Sequence, residues 1–232
     1  MLGRRGVNAM KVRYIFRQTS AIVMTMMMAA ALTAQNRPPR EASAKKKDKE
    51  KLHDKAKKAG GAVVLRYRPS RSKIFSSLSD LGAHSDVVII GRVLGHRPAL
   101  TPSGNLITNN FLVKVLEVRK GDLAGTRSII ISSPGGAYKF PDGTRAAVVP
   151  TGYKELEDGV IYALFLKARG NGANYRLVSE SQGAFALKPQ GLEPADLDTT
   201  RPIMKYRGLT PVAFLRELHK AVPVKKRITL SP

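Results

Sequence analysis

The sequence predicts a mainly β fold, a small antiparallel barrel closed by a C-terminal amphipathic helix. Three observations carry this. Short β-branched and apolar runs recur between residues 86 and 188; turn residues separate them; and a capped apolar stripe stopped by Pro follows near the end. With 232 residues, 43% of them hydrophobic, the chain can build one ordinary domain plus extensions.

Residues 1–34 read as a cleavable signal peptide. Lys11, Arg13 and Arg17 form a positive start, a low-polarity run fills 21–34, and Ala29, Ala30, Ala31 and Ala34 supply small residues at its close. The run is shorter than the roughly 20 residues of a membrane span. Cleavage is expected after Ala31 or Ala34, with Met10 an alternative start. Arg4-Arg5 lie too far from the run for a twin-arginine signal. The chain is therefore expected to be exported, periplasmic or secreted, with no transmembrane span once the signal is removed.

Residues 35–61 read as a basic, disordered spacer ended by Gly60-Gly61. Leu52 is its one large apolar residue, so little burial is available to offset ordering entropy. Lys, Glu and Ala allow at most a transient helix over 44–58. Lys45, Lys46, Lys47, Lys49, Lys51, Lys55, Lys57 and Lys58 are the candidate polyanion contacts. The plainer reading of these lysines is a solvated spacer.

The β domain is expected over 62–200. Residues 62–67 suggest a short strand and 76–83 one or two helical turns. Seven strands then follow at 86–94, 107–118, 128–132, 145–150, 160–167, 175–179 and 184–188. Turns at Pro102-Ser103-Gly104-Asn105, Lys120-Gly121-Asp122, Pro134-Gly135-Gly136, Asp142-Gly143 and Asp158-Gly159 punctuate them. Gly91 interrupts the first main strand, and Gly inside a strand marks a bulge or bend. A first strand bent in this way can pair in both halves of a barrel, which is OB-like geometry. Residues 201–232 read as a basic linker, a helix and a tail. Thr210 is a good N-cap, Pro211 suits the first helical position, and Phe214, Leu215, Leu218, Ala221 and Val222 share one face. That face is expected to dock on the β domain.

Charge is partitioned. Residues 1–73 carry 19 Lys/Arg against 4 Asp/Glu, residues 201–232 carry 8 against 1, and residues 74–200 carry 13 against 12. The net charge of +23 therefore lies in the flanks, which weakens a nucleic-acid reading of the β domain itself. The absence of Cys removes disulfides, thiolate catalysis and Cys-based metal sites.

Catalytic and cofactor signals are weak. His53, His84, His96 and His219 show no metal-ligand spacing, and no cofactor is implied. Ser85 stands between His84 and Asp86, but strand neighbours alternate faces and do not build a triad. Glu155, Glu157 and Asp158 read as a solvated hairpin turn before an acid/base pair. Ser133-Pro134-Gly135-Gly136 is either a plain turn or a backbone nest for an anion. Tyr138-Lys139-Phe140 and Tyr175-Arg176 place aromatics beside cations, as base-stacking surfaces do.

Across residues 80–190 the segments 85–93 (SDVVIIGRV), 113–121 (VKVLEVRKG), 133–136 (SPGG), 159–166 and 182–185 (QGAF) resemble uncharacterised secreted bacterial proteins. The resemblance implies an OB-like barrel, distantly similar to netrin-type and metalloproteinase-inhibitor domains. Those inhibitors chelate metal through a terminal Cys, which this chain lacks, so their mechanism does not carry over. The expected function is a non-enzymatic exported module that binds a protein or an envelope component. The alternatives are weak polyanion or nucleic-acid binding through the basic flanks, and a hydrolase using the acidic cluster.

Overall fold

The computed structural model describes residues 50–69, 73–123, 125–170 and 174–223. The expected signal peptide, and Lys45, Lys46, Lys47 and Lys49, lie outside the described residues. The protein is mainly β with a C-terminal helix. In chain order the elements are α1 (Leu52–Lys58), β1 (Ala62–Tyr67), α2 (Leu78–Ala83), β2 (Val87–Leu100), β3 (Ile107–Lys120), β4 (Ser128–Pro134), β5 (Gly136–Lys139), β6 (Arg145–Pro150), β7 (Ile161–Ala168), β8 (Asn174–Leu177), β9 (Ala184–Lys188), β10 (Gly191–Pro194) and α3 (Pro211–Ala221). Among the described residues no helix is long and apolar enough to cross a membrane.

The larger sheet runs β10-β9-β7-β2-β3-β4-β8, and β8 also pairs back onto β7. The β4–β8 pairing is parallel, whereas β2–β3, β3–β4, β7–β8 and β2–β7 are antiparallel. Five strands thus form a circuit of hydrogen-bonded neighbours around one apolar interior. That interior holds Ile89 and Val93 from β2, Phe111 and Val113 from β3, Ile129 and Ile131 from β4, Tyr162 and Leu164 from β7, and Tyr175 and Leu177 from β8. Gly91 acts as its place in the sequence suggests. The β2–β3 register shifts between Ile90 and Gly91, and Gly91 pairs with both Val115 and Tyr162. A Cβ there would lie 2.6 Å from Val113 Cγ1, so a side chain would push β3 away.

A second core covers the outer side of β7 and β9. Phe75, Leu78 and Leu81 from α2 and its approach meet Phe165, Phe185, Leu192, Phe214 and Leu218. The α3 helix forms as its sequence predicts: the Thr210 hydroxyl accepts the Ala213 N–H, Pro211 occupies the first turn, and Phe214, Leu218 and Val222 are buried. The expected basic linker before it is a packed segment. Residues Pro202–Tyr206 form a 3-10 turn, with Ile203 fully buried and the Tyr206 ring edge-on to Phe185 and Phe214.

The smaller sheet has the order β1-β6-β5, with β1 parallel to β6. Its inner face, α1 and the far end of the β2–β3 hairpin enclose a third core of Leu52, Ile107, Phe140, Ala146 and Val148. For residues 50–61 this corrects the expected disordered spacer, because they form α1 and the turn into β1; residues 35–49 lie outside the described residues. Leu52 and Ala56 stand one helical turn apart and are fully buried, and Leu52 N–H donates to Gly104 O at 2.8 Å. Two apolar residues in register suffice once a ready-made apolar pocket meets them. The short strands β5 and β10 were not expected. Pro134-Gly135-Gly136 before β5 reads as a turn, residues 191–194 carry no strand signal of their own, and only pairing to β6 and β9 makes the two segments strands.

Candidate binding groove

A groove of about 1070 Å³ opens at one end of the β2–β3 ladder. Its walls are α2, the C-terminal end of α3, and the chain that links β3 to β4. Val115, Val118, Leu123 and Val222 supply apolar surface, and Arg119, Lys120 and Arg127 supply cations.

Two glycines set the walls. At Gly82 a Cβ would lie 2.6 Å from Val222 Cγ2, so α2 and the α3 end approach as closely as they do only because Gly82 lacks a side chain. Gly121 has φ 86°, and a Cβ there would lie 2.6 Å from Asp86 O. It turns the chain tightly past the start of β2. The sequence identifies this turn through Lys120-Gly121-Asp122 but does not reveal what it faces.

The cations differ in their engagement. Lys120 Nζ donates to Gly82 O and Ser85 O, both at 2.7 Å, and satisfies carbonyls at the α2 C-terminus. The Arg119 side chain is only 12% exposed. Its Nη2 lies 3.0 Å from Glu117 Oε2 and its Nη1 lies 3.2 Å from His219 Nδ1. Its Nε is buried without a hydrogen-bond partner. Arg127 stands exposed at the rim. Asp86, also on the lining, is bound elsewhere. The Lys167 ammonium and the Ala168 N–H hold its carboxyl below the usual carboxylate range.

The sequence-predicted candidates are dispersed. Lys51, Lys55, Lys57 and Lys58 belong to α1 or its N-terminal edge, where Lys57 reaches Asp142 at 3.4 Å and Lys58 pairs with Glu50. The acidic trio splits three ways. Glu155 accepts from Asn109 Nδ2 at 2.9 Å, Glu157 accepts from Lys188 Nζ at 3.0 Å, and Asp158 lies 3.1 Å from His96 Nδ1. Burial pushes the Glu155 carboxyl up, partly countered by Asn109. Ser85 donates to Leu81 O, while His84 faces Lys73 and Asp80, so no triad assembles at 84–86.

The Ser133-Pro134-Gly135-Gly136 turn packs against the chain's own Glu155 and Asn109. A Cβ on Gly135 would collide with Glu155 Oε1, and one on Gly136 with Asn109 Oδ1. The turn is thus already occupied by a carboxylate and an amide. Phe140 is buried under His53, Tyr138 meets it edge-on, and Tyr175 lies in the strand-enclosed interior. These rings are core and not an open stacking platform. The groove residues escaped the sequence reading because they come from three separated stretches and carry no shared motif. A scan against protein-family models gives no match, and a search of curated proteins finds none either.

Proposed function

We propose that this is an exported, non-enzymatic binding module, built on an OB-like barrel, whose groove takes a ligand that joins an acidic group to an apolar body. The five-strand pairing circuit with a parallel β4–β8 pair supports the barrel reading. One observation carries the ligand class: the groove lining sets the guanidinium groups of Arg119 and Arg127 beside apolar walls, with Arg127 exposed at the rim. A carboxylate or phosphate forms charge-assisted hydrogen bonds with guanidinium groups placed in this way. Val115, Val118, Leu123 and Val222 would take the apolar part.

The test is a fluorescence titration with 11-(dansylamino)undecanoate, an apolar chain ending in a carboxylate. Saturable binding that falls at least tenfold in both Arg119→Ala and Val118→Asp supports the reading. No saturable binding, or equal binding by wild type and both variants, removes it.

A second reading, polyanion binding through the basic flank, is favoured by α1. Lys51, Lys57 and Lys58 are exposed on an ordered helix or at its edge, not scattered along a free chain. A hydrolase has the least support, since Glu155, Glu157 and Asp158 turn to separate partners.

A further inference from the structure

We infer that the outer face of the β1-β6-β5 sheet docks on an anionic lipid bilayer. The register defines this face. One row places Ala62, Arg145 and Lys139 side by side; the next places Val64, Ala147 and Ala137; and the third pairs Arg66 with Val149. The opposite face carries Val63, Leu65, Tyr67, Tyr138, Ala146 and Val148 toward α1 and the third core. The outward face thus holds three cations, five small or apolar residues and no acidic residue.

Its exposures are those of an interaction surface. Val64 is 65% exposed and Val149 is 46% exposed, although both are β-branched residues on a paired sheet. Arg66, Lys139 and Arg145 are exposed, and none pairs with an acidic side chain among the described residues. The nearest acidic group in sequence, Asp142, is turned the other way, onto His53 and Lys57 of α1. The chain enters the Ala62–Arg145–Lys139 row from α1 through Gly60-Gly61, and Arg145 N–H donates to Gly61 O.

The mixture selects the partner. A soluble polyanion is satisfied by cations alone and gains nothing from exposed valines. A bilayer of anionic lipid attracts Lys and Arg at its surface and accepts apolar side chains at the headgroup boundary. The sheet face presents both, with basic rows on either side of the Val64, Ala147 and Ala137 row. This inference does not rest on the groove, which lies on other elements.

The experiment is co-sedimentation with vesicles of 3:1 phosphatidylcholine:phosphatidylglycerol and of phosphatidylcholine alone. It uses the protein recovered after expression, with its N-terminus read by mass spectrometry, and heparin binding is measured in parallel. Binding is expected to require phosphatidylglycerol. Each single variant Arg66→Gln, Lys139→Gln and Arg145→Gln should weaken it about fivefold, and the triple variant by more than tenfold. The single variants guard against misfolding of the triple one, and circular dichroism checks each. Val64→Thr with Val149→Thr should weaken vesicle binding but leave heparin binding unchanged. The inference is overturned if the charge variants bind phosphatidylglycerol vesicles as well as wild type does. It is equally overturned if the valine variants change nothing while the charge variants lower heparin and vesicle binding alike, because the ligand is then a soluble polyanion.

Discussion

His53 lies face to face on Phe140, with ring centroids 4.4 Å apart and planes 21° from parallel. Its Nε2 also reaches Asp142 Oδ2 at 2.8 Å. This one side chain, together with the buried Leu52 and Ala56 beside it, changes the meaning of the Lys-rich segment. Its last seven residues form a docked helix of about two turns that covers a core, and Lys57 on it reaches Asp142.

The first prediction concerns that docking. Leu52 is fully buried among Ile107, Phe140, Ala146 and Val148. Truncating such a residue costs about 2–5 kcal/mol where the site cannot collapse. Leu52→Ala should therefore release α1, while the strands around the main interior stay intact. Hydrogen exchange should show lost protection at Ala56 through Ala59 and unchanged protection in β2, β3 and β7. Uniform protection across all of these segments would mean that α1 is not held by Leu52.

The second prediction is pH dependence at the same contact. Hydrogen bonds from the Thr144 hydroxyl and from His53 hold the Asp142 carboxyl far below its ordinary value. A carboxyl depressed by folding adds stability that is present above its unfolded pKa, about 3.9, and is lost as pH falls toward the folded value. Protection of α1 should therefore decline as pH drops below about 4. Asp142→Asn should show weaker protection at pH 6 and a flatter acid limb. Hydrogen exchange at pH 3 and pH 6, corrected for intrinsic rates, decides the point; parallel curves for wild type and variant would refute it.

The third prediction tests the groove wall. A Cβ on Gly82 would sit 2.6 Å from Val222 Cγ2. Because Val222 is itself buried, that methyl group has little room to retreat. Gly82→Ala should destabilise by about 1–3 kcal/mol, the range for overpacking. Val222→Ala removes the clashing methyl, so the double variant should recover part of that loss. Denaturant unfolding of the four proteins measures the coupling. Additive losses would show that the two residues do not limit each other.

How much was legible in the sequence depended on whether a signal was local. The strands over 107–118 and 145–150 and the capped helix from Pro211 were legible, because periodicity, β-branching and caps act within a few residues. The four-residue strands β5 and β10 were not, since they exist only through pairing with β6 and β9. Leu52 looked isolated because the pocket that receives it is built from residues 107, 140, 146 and 148. The groove was hidden for the same reason. Gly82, Arg119 and Val222 are remote in the chain and meet only when α2 and α3 pack on the β-sheet. The turns at Asp142-Gly143 and Asp158-Gly159 are local and were legible, but Pro134 and Gly136 belong to strands, and the partner facing that reversal, Glu155 at Gly135, is a tertiary fact.

The last prediction separates the lysines before α1 from the lysines on it. If heparin binds, each Lys that neutralises a sulfate releases counterions, so affinity falls with salt in proportion to the contacts made. A chain beginning at Glu50 loses Lys45, Lys46, Lys47 and Lys49 but keeps Leu52 and Ala56, so its third core stays covered. Its fold should be unchanged and its salt slope shallower. A chain beginning at Ala59 loses Lys51, Lys55, Lys57 and Lys58 as well, and it also uncovers Phe140, Ala146 and Val148. It should bind more weakly still, and its melting temperature should fall, because apolar surface that α1 shielded now meets water. The measurement is heparin affinity from 50 to 400 mM salt on the three proteins, with thermal unfolding of each. A shallower slope without lost stability in the first deletion, followed by lost stability in the second, fits a basic tract anchored by a docked helix. Identical slopes in all three proteins would assign the lysines to solvation alone. An unchanged melting temperature in the shortest chain would deny α1 its place in the core.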